Sequence, residues 1–445
     1  MTEINIELDS ARRAAYLALK DVEEHKAYSN LAVQSAIRRI EPERVSFVRE
    51  LVYGTIRKQL YLDNIISAYV KTPVGKLPVS DRILLRMGLY QHSALGSVPD
   101  YAAVSETVEL AKHYARGRDK FINGVLRQYI RGGDQASLPP REEDEARYLS
   151  LKYSFAQWIV EMWLDEFESA RRVEQLLDSL NQKPHFCIRA NTLKTEPDEL
   201  KARLAGLGFN AEADEDLPDL FFIEGAGAEK PLDTELYREG YFSVQDKASR
   251  IAVESLGVKP GEVVVDVCAA PGGKTMAIAE AMKNSGKILA LDIHDHRLEL
   301  IKKEAARLGV GIVETRRHDS CVPEGGLIGG ADKVLVDAPC SGFGTARRKP
   351  EVKYKEFDED MKRLPQLQED ILNASALYLK RGGVLVYSTC TIAKRENQDV
   401  VNAFLKKNVD FELLDMIQLL PMTGRTDGFF ICKLKRDENL IRRIT

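Results

Sequence analysis

The second half of the chain alternates strand, turn and helix, and this rhythm constrains the fold more than any other feature. From about Val258 onward, short apolar runs of strand type are separated by segments of helical length. Such alternation predicts a mainly parallel sheet with helices on both faces, because parallel neighbours need a crossover connection. The predicted strands are residues 262–267, 287–291, 311–315, 333–336 and 384–388. The fold class of this part is therefore α/β.

The first 135 residues predict a different, all-helical domain. Val104, Val108 and Ala111 share one helical face, whereas strand-type alternation is scarce. Residues 131–145, RGGDQASLPPREEDE, lack periodicity and predict a linker.

Between the linker and the α/β part, the pattern predicts a helix and then a small α+β unit. The unit has strands at 186–192 and 220–224, and Thr195 with Asp198 suggests a capping box for the helix between them. The predicted domains are thus 1–135, 146–240 and 241–445.

Composition narrows the class of protein. The net charge of −4 is mild evidence against a nucleic-acid partner, yet residues 1–130 carry 19 Lys and Arg against 15 Asp and Glu. A basic N-terminal module on an acidic body permits RNA binding. The start MTEINIELDS lacks the pattern of a signal peptide, and no apolar run is long enough for a membrane helix. Six cysteines without a CxxC pair predict a reducing, cytoplasmic setting, and histidines without an HExxH pattern predict no metal.

Polar or thiol groups follow all five predicted strands of the α/β part. In an open α/β sheet, ligands bind outside the carboxyl ends of the strands, so these groups predict one shared site. The groups are Asp266, Asp292, Asp319, Asp337 with Cys340, and Thr389 with Cys390.

The turn after the first strand predicts the kind of ligand. It reads VCAAPGGKT, and its small residues let a ligand approach the backbone at a helix N-terminus. A phosphate loop would need glycine where Cys268 stands, and the dinucleotide GxGxxG spacing is missing. Asp292 follows at the distance expected for an acid that binds ribose hydroxyls. An adenosyl cofactor without phosphates, S-adenosylmethionine, fits best.

Several motifs resemble the Sun/Fmu family of RNA cytosine-5 methyltransferases. They are DVCAAPGGKT, LVDAPCSGFGTARRKPEVKY, VYSTCT and RTDGFFICKLKR. RILLRMGLYQ and FINGVLRQYI in the first 130 residues resemble the NusB-like RNA-binding domain fused to such enzymes. The resemblance implies a Rossmann-like methyltransferase domain preceded by a small α+β unit and a helical NusB-like domain. It also implies methylation of carbon 5 of a specific cytosine in 16S ribosomal RNA, with transfer RNA and 23S ribosomal RNA as alternatives.

The resemblance also assigns roles that the residues alone leave open. A thiolate that adds to C6 of cytosine makes C5 nucleophilic, and an acid near the base stabilises the developing charge. Which thiol attacks does not follow from the residues; the family pattern makes Cys390 the nucleophile, Cys340 the residue that assists release, and Asp337 the acid. The cofactor-binding residues that it implies are Cys268, Ala269, Ala270, Pro271, Gly272, Gly273, Lys274, Asp292, Asp319 and Asp337. Cys187, Cys321 and Cys432 are interpreted as structural.

The sequence also allows two other functional interpretations. The sequence GGKT suggests an NTPase, and the NusB-like segment suggests a non-catalytic RNA-binding factor of the antitermination type. Arg347, Arg348 and Lys349 follow the fourth strand in a loop and suggest a phosphate contact. The expected partner is RNA, foremost small-subunit ribosomal RNA; no DNA and no membrane are expected, and the protein is predicted to be a monomer.

Overall fold

A computed structural model describes residues 8–225 and 230–438 of the chain. Residues 1–7, which make up most of the N-terminal stretch MTEINIELDS, lie outside the described residues. The described residues form two compact units. The first extends to Asn181 and includes Ala346–Glu356, and the second contains Gln182–Thr345 and the described residues from Phe357 onward. None of the helices in these ranges is long and apolar enough to cross a membrane.

The first unit is built from helices, as predicted for the N-terminal part. Its helices are α1 (Ser10–His25), α2 (Ser29–Ile40), α3 (Val45–Arg57), α4 (Gln59–Tyr69), α5 (Val79–Ala94), α6 (Asp100–Tyr114), α7 (Asp119–Gly132), α8 (Glu145–Tyr153), α9 (Gln157–Phe167) and α10 (Ala170–Asn181). The apolar faces of α1 to α7 meet in one core that includes the fully buried Tyr16, Leu51 and Leu84. The predicted linker is shorter than expected, because α7 continues to Gly132 and α8 begins at Glu145.

Helices α8 to α10 lie in the first unit, although the sequence grouped them with the α+β unit. The Ser154 hydroxyl accepts the backbone N–H of Leu60 at 2.8 Å, which joins the end of α8 to α4. Trp163 of α9 is fully buried, so the aromatic face of this helix is core. The spacing of apolar residues predicts that this face is buried, but not which element it packs against. The sequence therefore did not reveal that α9 belongs to the helical unit.

The segment Ala346–Glu356 is anchored in the helical unit by Lys353. The Lys353 side chain is fully buried, and its Nζ donates to the Arg57 carbonyl at 2.6 Å, the Tyr153 carbonyl at 3.0 Å and the Asn181 Oδ1 at 2.7 Å. Burial holds the pKa of Lys353 well below its usual value. The three acceptors are enough for every hydrogen that this nitrogen carries, whether it is charged or neutral, so the contact is structural.

The expected phosphate contact is wrong for Arg347. This side chain is buried in the helical unit, where its Nε donates to the Ser179 carbonyl at 2.7 Å. Lys349, by contrast, is exposed and lies 5.5 Å from the centre of the Tyr28 ring. A run of charges in the sequence does not reveal which of its members is buried.

The second unit contains the small α+β unit that was predicted, with four strands rather than two. The strands are β1 (Phe186–Ala190), β2 (Asn210–Ala213), β3 (Leu220–Glu224) and β4 (Phe242–Val244), and the helices are α11 (Pro197–Gly206) and α12 (Glu235–Arg238). The sheet is antiparallel in the order β2-β3-β1-β4.

The predicted capping box of the small unit is wrong. Helix α11 begins at Pro197, its N-cap is Glu196, and no side chain among the described residues caps it. The Thr195 hydroxyl instead donates to Glu199 at 3.1 Å. Pro197 explains the shift, since its fixed φ favours the first helical position.

The large sheet of the second unit has seven strands in the order β10-β11-β9-β8-β5-β6-β7. Its strands are β5 (Val263–Asp266), β6 (Lys287–Asp292), β7 (Val313–Arg317), β8 (Ala331–Asp337), β9 (Leu379–Thr389), β10 (Phe411–Leu419) and β11 (Phe429–Arg436). Its helices are α13 (Lys247–Leu256), α14 (Gly273–Ala281), α15 (Asp295–Leu308), α16 (Glu359–Ala376) and α17 (Gln398–Lys407).

The five predicted strands are β5 to β9, and they are parallel as expected. Strand β7 begins two residues later than predicted. Strands β10 and β11 were not predicted and pair antiparallel beside β9. The α/β class is thus confirmed, with an antiparallel edge added.

Candidate active site

The parallel register brings the predicted functional residues to one edge of the sheet. Asp337 at the end of β8 pairs with Ser388 near the end of β9. Cys340 therefore follows its strand by three residues and Cys390 by one. Asp266 ends the neighbouring strand β5. The order of the parallel strands explains why residues distant in sequence meet here.

The two thiols meet as predicted. The Cys340 and Cys390 sulfurs are 3.3 Å apart, and both residues are partly exposed. The hydrogen bond with Cys390, followed by burial of the sulfur, raises the pKa of Cys340 well above its ordinary value. Two sulfurs at this separation can both reach one bound base.

A carboxylate and an ammonium lie beside the thiol pair. Asp337 Oδ2 is 2.8 Å from Lys274 Nζ, and Oδ1 accepts the Ser388 hydroxyl at 2.9 Å. Burial acts to lower the pKa of Lys274, but the negative charges of Asp337, Cys390 and Asp266 outweigh it and the pKa is raised. Lys274 therefore stays charged next to the thiols.

Buried polar contacts join the loops that carry the two thiols. The Ser341 and Thr391 hydroxyls are 2.6 Å apart, and the Ser341 N–H donates to Glu396 Oε2 at 2.8 Å. The Gly344 N–H donates to the Cys390 carbonyl at 3.0 Å. Glu396 escaped the sequence analysis because AKRENQ looks like a solvated charged loop, yet this carboxylate is fully buried.

A cleft of about 200 Å³ opens beside this edge, and most of the predicted cofactor loop lines it. Its lining residues are Val244, Gln245, Asp246, Ser249, Asp266, Cys268, Ala269, Ala270, Pro271, Gly273, Lys274 and Asp337. Gly272 lies outside the lining; its φ of +105° forms the turn that starts α14. The cysteines 340 and 390 are also outside the lining, whereas Lys274 and Asp337 belong to it.

Asp266 gives the cleft an unused acceptor. Its Oδ2 accepts the Thr275 hydroxyl at 2.7 Å, but its Oδ1 is buried without a partner among the described residues. Burial raises the pKa of Asp266 to about 7. A buried oxygen without a donor is costly, so a ligand amine or hydroxyl at this position would be favourable.

The charges of the lining residues fit an adenosyl amino acid better than a nucleotide. Asp246, Asp266 and Asp337 contribute carboxylates, and the single ammonium of the lining, Lys274, is already paired with Asp337. A triphosphate would meet this negative surface unfavourably. The amino group and hydroxyls of S-adenosylmethionine would instead supply donors to it.

Two predicted cofactor residues lie apart from the cleft lining. Asp292 is buried at the end of β6, and its Oδ2 is 3.3 Å from an Arg297 nitrogen. Arg297 also donates to the Ala270 carbonyl at 2.8 Å, so it connects Asp292 to the cofactor loop. Asp319 is exposed, and its Oδ1 accepts the Cys321 N–H at 3.1 Å.

Arg189 of the small sheet stabilises the cofactor loop by binding Glu280 and Gln245. The sequence did not predict this role. The Arg189 guanidinium is buried and forms two hydrogen bonds with Glu280 of α14, at 2.8 and 2.9 Å. It also bonds to Gln245, whose amide donates to the Gly273 carbonyl at 3.0 Å. One arginine in a predicted strand gives no signal of this pairing.

The remaining cysteines differ in burial. Cys187 and Cys432 are buried in cores, which agrees with a structural role, and Cys321 is partly exposed. Within residues 8–225 and 230–438, no group of three His, Cys, Asp or Glu side chains could hold a metal ion.

Three family models match consecutive parts of the chain. The NusB family model matches residues 9–131, a ferredoxin-like domain model of RsmF/B-like methyltransferases matches 155–228, and the 16S rRNA methyltransferase RsmB/F model matches 253–435. Their order agrees with the helical, small α+β and Rossmann-like parts described above.

Similar proteins extend over nearly the whole chain. "Probable ribosomal RNA small subunit methyltransferase B" of Bacillus subtilis (strain 168) is 36% identical, and the match covers 96% of this chain and 99% of that protein. "Ribosomal RNA small subunit methyltransferase B" of a Klebsiella pneumoniae strain is 33% identical and covers 98% and 99%.

Solved structures show the same fold. The crystal structure of PH0851 superposes with a TM-score of 0.82 at 27% identity, covering 98% of this chain and all of that one. A methyltransferase homologue from Pyrococcus horikoshii has a TM-score of 0.57 at 28% identity, covering 66% of this chain and 99% of that one. The chain therefore belongs to the RsmB/F family of ribosomal RNA small subunit methyltransferases and is an S-adenosylmethionine-dependent RNA methyltransferase.

Proposed function

We propose that the enzyme methylates carbon 5 of a specific cytosine in 16S ribosomal RNA through a covalent adduct between Cys390 and C6 of the base. The observation that carries this proposal is the 3.3 Å separation of the Cys340 and Cys390 sulfurs beside Asp337 and Lys274. A site that only binds RNA has no need of two adjacent thiols.

The first step is the attack of the Cys390 thiolate on C6. A bond forms between Sγ and C6, and the electron pair of the C5–C6 double bond makes C5 nucleophilic. We assign to Asp337, at the same edge of the sheet, the role of the acid near N3 and the exocyclic amine that stabilises charge as the ring is attacked. When bound, S-adenosylmethionine supplies an electrophilic methyl group for C5.

The second step is release, in which Cys340 assists. The Cys340 sulfur takes the C5 proton and passes its own thiol proton to the Cys390 sulfur as the bond to C6 breaks. The electrons of the C5–H bond restore the C5–C6 double bond. Both cysteines end as thiols, and Cys390 returns its proton to solvent before the next turnover. The Cys340–Cys390 hydrogen bond supplies the path for this proton.

The loop from Cys268 to Lys274 would hold the cofactor, together with Asp292, Asp319 and Asp337. The free Asp266 oxygen supports an amine or hydroxyl donor in the cleft. Besides contacting the cofactor, Asp292 would hold the loop in place, because Arg297 binds both Asp292 and the Ala270 carbonyl.

The relatives' names support the ribosomal target. Both similar bacterial proteins are named for the small subunit, and the NusB-type helices suit RNA binding. Reaching C5 at this edge requires a single-stranded or flipped-out base. We expect a cytoplasmic monomer that acts on RNA and not on DNA.

Bisulfite sequencing of cellular RNA tests the target. With the gene intact, one cytosine of 16S ribosomal RNA should resist conversion; without the gene, that cytosine should convert. Loss of protection only in transfer RNA or 23S ribosomal RNA would instead support the alternative substrates. Unchanged protection in all RNAs would contradict the proposal.

The two other interpretations of the sequence receive less support. An NTPase would place phosphates against three carboxylates, and ATP bound in preference to S-adenosylmethionine would revive that interpretation. A non-catalytic antitermination-type factor would not need the thiol pair or its neighbouring acid.

A further inference from the structure

Glu396 is a buried carboxylate next to the thiol pair. It is fully buried, and its Oε2 accepts the Ser341 N–H at 2.8 Å and the Gln368 amide at 3.1 Å. Its Oε1 has no hydrogen-bond partner, and no ion pair to Glu396 is present in the part of the chain that the structure describes. Burying a carboxylate without a cation is unfavourable, so a structural role alone explains Glu396 poorly.

The charges around the two sulfurs are unequal. Glu396 binds the backbone directly after Cys340, and its negative charge adds to the hydrogen bond and burial that raise the pKa of that thiol. The Lys274 ammonium, by contrast, interacts with Cys390, whose negative charge contributes to the raised pKa of Lys274. A negative neighbour opposes a thiolate and a positive neighbour favours one.

We propose that Glu396 is a positioning residue whose carboxylate keeps Cys340 as a thiol, so that Cys390 alone acts as the nucleophile of the pair. This inference rests on the proposed function, because it explains which of two adjacent sulfurs attacks. The same carboxylate fixes the Ser341 backbone, and the Ser341–Thr391 contact of 2.6 Å passes this restraint to the Cys390 loop. Cys340 then holds the proton that the release step requires.

Glu396→Gln separates charge from hydrogen bonding, since a glutamine oxygen can still accept from Ser341. The experiment alkylates the full-length enzyme with iodoacetamide at fixed pH without RNA, and mass spectrometry follows each cysteine. In the unsubstituted enzyme, Cys390 should react faster than Cys340. In Glu396→Gln, the rate of Cys340 relative to Cys390 should rise about tenfold, because removing a negative neighbour favours the thiolate. Glu369→Gln is the matched control, because it removes an equal charge from a carboxylate paired with Lys407 and should leave the ratio unchanged.

A second variant covers the case in which Glu396→Gln does not fold. Gln368→Leu removes one donor to the carboxylate, which favours its protonated, neutral form, so Cys340 should react faster relative to Cys390 than in the unsubstituted enzyme. An unchanged ratio in Glu396→Gln, or a Cys340 that reacts more slowly in Gln368→Leu, would overturn the inference. Alkylation does not depend on methyl transfer, so these results remain separate from a failure of the proposed function.

Discussion

The Cys340 sulfur lies 3.3 Å from the Cys390 sulfur, although 50 positions separate the two residues in the chain. Their strands, β8 and β9, are parallel neighbours whose last residues are in register. Lys274 and Asp337 belong both to this edge and to the cofactor cleft. One edge of the sheet therefore brings together a nucleophile, a second thiol, an acid and the binding site of the methyl donor.

Replacing the nucleophile should abolish methylation without loss of cofactor binding. Cys390→Ala removes the sulfur that adds to C6, so we expect the rate of methyl transfer to fall by more than about a thousandfold. Because Cys390 does not line the cleft, the dissociation constant of S-adenosylmethionine should be nearly unchanged. Tritium transfer from labelled cofactor to RNA and calorimetric titration measure the two quantities.

Cys432→Ala is the matched control for that variant. Cys432 is a buried cysteine in β11 of the same sheet. It has no proposed part in the reaction, so this variant should retain activity. Full activity in Cys390→Ala would refute the assignment of the nucleophile.

The buried ion pair under the cofactor loop should dominate the stability of this region. Arg189→Met leaves Glu280 buried and without its cation, which should lower the free energy of unfolding by about 3–5 kcal/mol. Replacing Glu280 with Met as well removes the stranded charge, so the double variant should recover most of the loss. Urea denaturation of the three proteins measures both effects. A double variant as unstable as Arg189→Met would show that the uncompensated Glu280 charge is not the cause of the loss.

Asp266 should make stability depend on pH around neutrality. Burial raises the pKa of Asp266 to about 7 in the folded state, well above its ordinary value. A raised acid stabilises the fold when protonated, so its contribution is complete below about pH 4 and is lost as the pH rises through 7. Relative to Asp266→Asn, which cannot ionise, the unsubstituted protein should lose on the order of a few kcal/mol between pH 4 and 8.

Denaturant titrations at several pH values, with and without S-adenosylhomocysteine, measure this difference. A ligand that donates a hydrogen bond to Asp266 favours the charged form, so the loss should shrink when the ligand is bound. A difference between the two proteins that stays constant from pH 5 to 8 would contradict the predicted ionisation.

The strand rhythm and the motifs predicted the edge of the sheet that carries the site. Parallel strands place their carboxyl ends together, so Asp266, Asp337 and Cys390 could be assigned to one edge before their distances were known. The antiparallel strands β10 and β11 were not predicted: β10 follows α17, but β11 follows β10 without a helix between them, which departs from the repeating pattern.

Burial of charged side chains could not be predicted from the sequence. Arg347, Lys353 and Glu396 all lie in charged stretches that suggest solvated loops, yet all three are buried. Their partners, such as the Ser179 carbonyl and the Ser341 N–H, are distant in sequence or belong to the backbone. The pattern of residue types along the chain does not predict such contacts.

Trapping of the covalent intermediate tests the central claim most directly. Cys340→Ala, incubated with substrate RNA and S-adenosylmethionine, should accumulate a protein–RNA adduct that survives a denaturing gel and forms only with the cofactor. Mass spectrometry should locate the nucleotide on Cys390, and the Cys340→Ala/Cys390→Ala variant should form no adduct. An adduct on another residue, or none under any condition, would contradict the account of two thiols acting on one cytosine.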